Sequence, residues 1–215
     1  MTLSQSETVK NKSPRPYLYL LTAMYTAGLI GLNIPQIAWL FKLLTPFNLI
    51  ASLGILLYFH EDWNTHFKIF AVIAFLTGYF IEVVGVNTGL IFGHYQYDTT
   101  LGFEILNVPP VIGVNWLMLV YCVGIIMQKQ LPYLRVGVGA ILLTLFDYVV
   151  EPIAIRQEMW SWFGQMPPIQ NYIGWFVVSA FLLFLFDKLS FKKENPIARW
   201  LFILNILFFF IQHFI

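Results

Sequence analysis

The sequence predicts an all-α fold, a polytopic membrane bundle of seven transmembrane helices with its N-terminus inside and its C-terminus outside. Of the 215 residues, 59% are hydrophobic and only 11% are charged, and the mean hydropathy is +0.72. A soluble domain carries about 25% charged residues and about 45–50% apolar ones. The apolar residues also form seven runs long enough for spanning helices, and the basic residues collect on one side of these runs.

The residue inventory excludes several other classes of protein. A net charge of +1 provides no basic surface for nucleic acid. The single cysteine, Cys122, excludes a disulfide framework and a metal site built on paired thiolates. The last apolar run carries Asn205 but no lysine for a retinal Schiff base, which excludes a rhodopsin. The four histidines are too few and too scattered for the di-iron centre of a membrane hydroxylase: His60, His66, His94 and His213.

The elements follow in order along the chain. Residues 1–16 are a polar tail that we expect to be disordered, and residues 17–215 form a single transmembrane domain. The second span is the weakest, because Lys42 precedes it and Pro46 lies in its first turn, where proline is tolerated. The predicted spans are 17–34, 43–59, 68–91, 110–128, 132–154, 172–188 and 197–214.

The distribution of lysine and arginine sets the predicted orientation through the positive-inside rule. With the N-terminus inside, the outer segments carry only Lys42 and Arg156. A six-span arrangement without the second helix would divide the basic residues between the two faces. The ten other basic residues all fall on the inner side: Lys10, Lys12, Arg15, Lys68, Lys129, Arg135, Lys188, Lys192, Lys193 and Arg199.

Three carboxyl groups lie at membrane depth, where ionisable groups are costly and usually functional. Asp147 and Glu151 are four residues apart and share one face of the fifth span. Glu82 lies roughly 13 Å below the outer end of the third span, and Asp147 roughly 10 Å below that of the fifth. We expect at least one of the three to be protonated at neutral pH, because burial and like-charge neighbours disfavour the ionised form.

Polar and aromatic residues at the same depth complete a predicted pocket in the outer leaflet. Asn115 and Trp116 begin the fourth span on this side, and Asn171 and Trp175 begin the sixth. A single intramembrane carboxylate can be a structural hydrogen-bonding group between helices. Three carboxylates without a buried basic partner favour a functional site. Arg156 is the nearby cation, but its long side chain can reach the membrane surface and so need not be a buried partner.

Two long loops, about 92–109 and 155–171, both fall on the outer side and are rich in aromatic residues, proline and glycine. Loops of this kind usually carry function. The aromatic residues there have two interpretations, an interfacial belt or a pocket wall whose ring faces stabilise a carbocation. They are Trp160, Trp162, Tyr172 and Trp175.

The same outer segments carry the motifs of a known family. The stretch 82–97 (EVVGVNTGLIFGHYQY), followed by Leu101-Gly102, resembles the signature of membrane-embedded carotenoid biosynthesis hydratases of the γ-carotene 1′-hydratase and bisanhydrobacterioruberin hydratase type. The resemblance covers about residues 45–185. It departs at 157–159 (QEM), where we expect a glycine and smaller residues. Further motifs agree in order: Val108-Pro109, Asn115-Trp116, Asp147-x-x-x-Glu151-Pro152-x-Ala154, Trp160-x-Trp162 and Asn171-Tyr172-x-x-Trp175.

This resemblance implies a cofactor-independent hydro-lyase that adds water across the terminal 1,2 double bond of an acyclic carotenoid end group. A carboxylic acid would protonate C2, and water would capture the tertiary cation at C1. Asp147 is the candidate proton donor, with Glu82 or Glu151 holding the water. No metal is implied, and the expected partners are a lipid-soluble carotenoid, water and the bilayer of a prokaryotic inner membrane. The candidate substrate-binding residues are Tyr97, Asn115, Trp116, Trp160, Trp162, Asn171 and Trp175.

Two alternatives remain open. A carotenoid cyclase or isomerase would use the same acid and cation but exclude water. A small proton-coupled transporter, or a carotenoid-binding membrane protein without catalysis, would also carry buried carboxylates. The absence of a repeat at half length counts against a secondary transporter.

Overall fold

A computed structural model describes residues 13–164 and 166–215. Residues 1–12 of the predicted tail lie outside the described part. Within it the chain forms seven α-helices, two short strands, and 3₁₀ turns at Thr99–Leu101 and Met127–Lys129. The helices are α1 (Arg15–Gly31), α2 (Ala38–Tyr58), α3 (Thr65–Thr88), α4 (Val111–Ile126), α5 (Pro132–Arg156), α6 (Ile169–Lys188) and α7 (Ala198–Gln212), and the strands are β1 (Tyr95–Tyr97) and β2 (Trp160–Trp162).

Five of these helices, α2 to α6, are long and apolar enough to cross a membrane by length and composition. Helix α1 has 17 residues and α7 has 15, so both are shorter than the roughly 20 residues that a spanning helix needs. The described residues therefore confirm an all-α architecture with five candidate spans among seven helices.

Helix α2 begins at Ala38, five residues before the predicted start, so Pro46 lies inside the helix and not in its first turn. A proline inside a helix removes one backbone hydrogen bond. In membrane helices the neighbouring hydrogen bonds and nearby hydroxyl groups compensate for this loss. The hydroxyl of Thr45 donates to the carbonyl of Phe41 at 3.0 Å, directly beside the proline.

The helices alternate in direction, and contacts between loops define two ends of the bundle. At the short-loop end, the side-chain amide of Asn64 donates to the carbonyl of Ser190 at 2.9 Å. At the long-loop end, Arg156 at the C-terminus of α5 donates to the carbonyl of Gln212 at 2.5 Å. The segments between α3 and α4 and between α5 and α6 both lie at the long-loop end, where they contact each other.

Helix α4 is the centre of the bundle and packs against α2, α3, α5, α6 and α7. It is apolar on every side, which is the pattern of a helix buried all round. Close approach depends on small residues, because an added Cβ at Gly78 of α3 would lie 2.3 Å from Cβ of Trp116. About two turns farther along α4, a Cβ at Gly124 would lie 2.7 Å from the ring of Phe186.

The two long loops are joined by a small antiparallel sheet, which the all-α prediction did not include. Strand β1 pairs with β2, with Tyr95 opposite Trp162 and Tyr97 opposite Trp160. The pairing continues beyond the strands, since the backbone N–H of Asp98 donates to the carbonyl of Met159 at 3.0 Å. Together the loops form one cap over this end of the bundle.

The departure from the family pattern at 157–159 has a structural counterpart in this cap. Glu158 has a φ of 55°, in the left-handed region that glycine occupies without strain. A glycine is the residue that the family pattern leads us to expect in this segment. The glutamate keeps the turn, and its carboxylate forms an ion pair with Lys42 of α2 at 2.8 Å.

Candidate active site

The three carboxyl groups predicted at membrane depth line one cavity beneath the cap, with a volume of about 40 Å³. A cavity needs roughly 10–15 Å³ to hold a water molecule, so this one has room for water but not for a large ligand. All ten residues predicted for the site line it: Glu82, Tyr97, Asn115, Trp116, Asp147, Glu151, Trp160, Trp162, Asn171 and Trp175. Three further residues, Phe92, Tyr95 and Ile112, were not predicted to take part.

Glu82, on α3, accepts three hydrogen bonds from three different side chains. Its Oε2 accepts from the hydroxyl of Tyr95 and from the hydroxyl of Tyr97, the latter at 2.9 Å. Its Oε1 accepts from the indole N–H of Trp116 at 3.1 Å. With both oxygens engaged, this carboxylate is held in one position between the cap and α4.

The two tyrosines remain hydrogen-bond donors at any physiological pH. Burial and the neighbouring Glu82 carboxylate both raise the pKa of the Tyr95 and Tyr97 hydroxyls well above their ordinary value of 10.0. Both hydroxyls therefore keep their protons and point them at Glu82. They are brought together by β1, because residues two apart in a strand face the same side.

Glu151, near the C-terminus of α5, accepts two indole hydrogen bonds on one oxygen. The N–H of Trp160 donates to its Oε2 at 3.0 Å, and the N–H of Trp162 donates to the same atom at 2.9 Å. These tryptophans are two apart in β2 and share a face, as the tyrosines of β1 do. The other oxygen, Oε1, has only a long contact of 3.4 Å with Nδ2 of Asn171.

Asp147 lies one helical turn from Glu151 on the same face of α5 and is only 2% exposed. It accepts a hydrogen bond from the side-chain amide of Asn171 at 2.7 Å. Asn171 is in the first turn of α6, so the docking of α6 against α5 sets the position of this carboxyl group. The single amide of Asn171 contacts both Asp147 and Glu151.

Aromatic rings form the remaining wall of the cavity. Trp116 of α4 and Trp175 of α6 stack with their ring centroids 4.2 Å apart and their planes at 22°. Both are almost fully buried. Trp160, Trp162 and Trp175 therefore belong to the cavity wall, whereas Tyr172, the fourth aromatic residue of this group, does not line the cavity.

No lysine or arginine lies among the described residues that line the cavity. Arg156, the nearest cation in the sequence prediction, donates to the Gln212 carbonyl and not to a carboxylate of the site. Among the described residues no group of three or more His, Cys, Asp or Glu side chains is placed to hold a metal ion. The cavity is therefore acidic, and its negative groups are balanced by neutral N–H and O–H donors.

Tyr95 could have been found from the sequence. Tyr95-x-Tyr97 and Trp160-x-Trp162 share the same alternating pattern of aromatic residues, and such alternation indicates short extended segments whose rings face one side. Phe92 and Ile112 carry no comparable signal, since buried apolar residues occur throughout this chain.

The fold and this cavity define a class of protein, an apolar helix bundle with a buried, water-sized acidic site at one end. The sequence profile of the carotenoid biosynthesis protein family matches residues 37–214. The chain therefore belongs to the carotenoid biosynthesis protein family. This membership and the five apolar helices indicate an integral membrane protein.

A bisanhydrobacterioruberin hydratase from Haloarcula japonica is 32% identical to the chain over 124 residues, which cover 52% of this chain and 42% of that protein. The match thus spans less than half the length of this curated relative. It confirms the resemblance to the hydratases that the motifs indicated. No solved structure gives a significant match.

Proposed function

We propose that this protein is a carotenoid hydratase, which adds water across the terminal 1,2 double bond of an acyclic carotenoid end group. The observation that carries the proposal is that three carboxyl groups share one small, water-sized cavity walled by aromatic rings. Family membership supports a carotenoid substrate, and the similarity to a hydratase supports the addition of water.

Asp147 is the proton donor in this proposal. It accepts one close hydrogen bond, from Asn171, whereas Glu82 accepts three. Hydrogen bonds from donors favour the charged form of a carboxyl group, so Asp147 is the group that keeps its proton. Asp147 transfers this proton to C2 of the double bond, and the positive charge develops at C1, a tertiary carbon.

The charge at C1 is stabilised by groups that are already in place. Glu82, ionised and held by its three donors, supplies a fixed negative charge near the cation. The stacked rings of Trp116 and Trp175 offer a ring face, whose quadrupole attracts a cation. Neither group has to move as the charge develops.

Glu151 orients the water and takes its proton. Its Oε1 makes only the long contact with Asn171 and has lone pairs free for a water molecule. The water oxygen bonds to C1 while one of its protons passes to Glu151. Because Glu151 and Asp147 share one helix face and one amide, this proton returns to Asp147, and the net reaction consumes one water.

We also propose that all seven helices cross a prokaryotic inner membrane, with the long-loop end outside. The alternating helix directions support an odd number of spans. The basic residues of the short loops, such as Lys129 and Lys192, lie at the opposite end, as the positive-inside rule requires for a cytoplasmic face. The short helices α1 and α7 pack against each other, and a modest local thinning of the bilayer accommodates their length.

The reaction is tested by expressing the chain in a bacterial host that makes lycopene and weighing the extracted pigments. We expect a product heavier by one water, which carries the label when the cells grow in heavy-oxygen water. Asp147→Asn and Glu82→Gln each keep the shape of the side chain and remove the acid, and each should lower the rate by about 10²–10⁴-fold.

Asp98→Asn and Glu104→Gln are the matched controls. They replace a carboxyl group by an amide, as the two acid variants do, and they lie at the long-loop end but outside the cavity lining. Both should keep wild-type activity. An isomer of unchanged mass would identify a cyclase or isomerase instead. Proton-dependent flux into reconstituted vesicles, without any change in the pigment, would identify a transporter. Full activity in both acid variants would overturn the assigned roles.

A further inference from the structure

A second and larger cavity, of about 410 Å³, lies beside the carboxylate cavity. We call it the side chamber. It is bounded by α1, α2, α4, α5, α7 and the segment that follows α5. Protein interiors are close packed, and voids larger than a water molecule are few. Its wall is mainly apolar, with side chains such as Met24, Leu44, Phe47, Phe146 and Phe208.

The side chamber and the carboxylate cavity share part of their walls. Ile112, Asn115 and Trp160 line both. The indole N–H of Trp160 donates to Glu151, so one edge of this ring lies at the carboxylates while the ring also borders the chamber. A ligand in the chamber would therefore contact Asn115 and Trp160, which also line the carboxylate cavity.

Helix α2 is buried in its C-terminal half but not in its N-terminal half, and the N-terminal half lines the chamber. Its buried residues are Ser52, Leu53 and Leu56, all in its C-terminal half. The N-terminal half, including Phe41, Leu44 and Asn48, lines the chamber and has no buried residue. A ligand bound in the chamber would pack against these side chains, which no other helix buries.

The chamber is closed at the long-loop end and exposed along its side. A Cβ at Gly31 would lie 2.1 Å from the ring of Phe41, so α1 and α2 meet tightly there. The ion pair between Lys42 and Glu158 ties α2 to the cap at the same end. Farther along, the facing residues Ala27, Leu44 and Phe47 are exposed, which leaves a lateral opening between α1 and α2 toward the lipid.

We propose that the side chamber binds the acyclic end of a linear isoprenoid, entering between α1 and α2, with its terminal double bond at Asn115 and Trp160. This inference rests on the proposed hydratase function and identifies the part of the substrate that the protein recognises. The wall from Phe41 to Ala51 is about 15 Å long at 1.5 Å per residue, half of the roughly 30 Å hydrocarbon core. The remainder of a long polyene therefore stays in the lipid, and the distal end is not recognised.

Filling the chamber tests this assignment. Gly28 lines the chamber from α1 and Ala51 lines it from α2. A Cβ added at Gly28 would lie 3.4 Å from a ring atom of Phe208. Gly28→Leu and Ala51→Phe should each raise KM for lycopene by about tenfold, with kcat within about threefold of wild type, because uniform binding is lost. Gly54→Leu is the matched control, since a Cβ at Gly54 meets nothing within 4 Å and Gly54 is not in the chamber wall.

Substrates with different distal ends complete the test. Lycopene, acyclic at both ends, and γ-carotene, acyclic at one, should have KM values within about threefold of each other, whereas β-carotene, with a ring at both ends, should not bind. In an Asp147→Asn background lycopene should co-purify with the protein, and adding Gly28→Leu or Ala51→Phe should remove it. This readout does not depend on hydration, so it separates the chamber from the reaction. Wild-type retention of lycopene in both filled variants, or tight binding of β-carotene, would overturn the chamber assignment.

Discussion

The side-chain amide of Asn171 donates to the carboxyl group of Asp147 at 2.7 Å, which links the first turn of α6 to the acid on α5. The same amide lies 3.4 Å from Glu151. One neutral side chain thus contacts both the proposed proton donor, Asp147, and the proposed proton acceptor, Glu151.

Removing this amide should impair catalysis more than folding. In Asn171→Ala, Asp147 loses its close partner and its orientation, and kcat should fall by about tenfold to hundredfold, since small misplacements of a reacting group have effects of this size. Rates of pigment hydration in membranes measure it. Ile169→Ala, in the same turn of α6 but 74% exposed, should be unaffected. An equal loss in both variants would show that the turn as a whole, and not the amide, is responsible.

The Tyr95 hydroxyl should matter to the same extent at every pH near neutrality. Tyr95→Phe keeps the ring and removes one of the three donors to Glu82. A hydrogen bond to a charged group contributes about 1.5–3 kcal/mol to the stability of the folded protein. Because burial and Glu82 raise the pKa of Tyr95 well above 10.0, the hydroxyl is protonated throughout. The activity ratio of variant to wild type should therefore stay constant between about pH 6 and 9. A ratio that rises toward one at high pH would contradict a donor role.

A methyl group at Gly78 should disturb Trp116. The added Cβ of Gly78→Ala would lie 2.3 Å from Cβ of Trp116, and overpacking of this kind costs about 1–3 kcal/mol. Because Trp116 also donates to Glu82, activity should fall together with thermal stability in detergent. Gly137→Ala meets nothing within 4 Å and should leave both unchanged. A fully stable and active Gly78→Ala protein would show that α3 and α4 separate freely.

His60 should make the protein less stable in acid. It is buried at the short-loop end, where it contacts the Tyr121 hydroxyl through Nδ1 at 2.8 Å and the Asp62 carbonyl through Nε2 at 2.9 Å. Burial lowers its pKa below the ordinary 6.5, against the opposing effect of Asp62 and Glu61. In the window between the folded and unfolded pKa values, the unfolded chain binds more protons. The stability that neutral His60 contributes is thus fully present above pH 6.5 and is lost as the pH falls through the folded pKa.

This contribution is measured as the thermal midpoint in detergent across that range. The His60→Gln variant should be less stable than wild type at pH 8 and should lose less stability on acidification. Parallel curves for the two proteins would assign the acid sensitivity to another group.

The proposed orientation is tested with single cysteines. Cys122 is buried and is replaced by alanine, after which Glu104→Cys at the long-loop end and Gln130→Cys at the short-loop end each supply one exposed thiol. A membrane-impermeant maleimide should label position 104 in intact cells and position 130 only after permeabilisation. The reverse pattern would invert the bundle.

The helices and the acids could be predicted because their signals are local. Long apolar runs locate α2 to α6 in the sequence, and the four-residue spacing of Asp147 and Glu151 places both on one face. Glu82 could be matched to them in depth by counting residues from the loops. These arguments need no knowledge of how the helices pack.

The strands and the side chamber could not be found in this way. The partner of Tyr95 is Trp162, far along the chain, and three-residue strands leave no signal strong enough to assign a pairing. The N-terminal half of α2 contains large apolar residues, as packed helices do, so the sequence does not show that Leu44 borders a cavity. Both features depend on which side chains meet in three dimensions.

The pairing of β1 with β2 has a consequence for biosynthesis. Contacts between residues distant in sequence form late. The tyrosines that donate to Glu82 are synthesised before α4, whereas the tryptophans that donate to Glu151 are synthesised after α5. A chain synthesised only as far as the end of α5 carries Asp147 and Glu151 but none of the side chains that donate hydrogen bonds to them. The carboxylate cavity is thus completed only after α6, which carries Asn171 and Trp175, has been synthesised, and a product that ends at α5 would carry Asp147 and Glu151 without their donors.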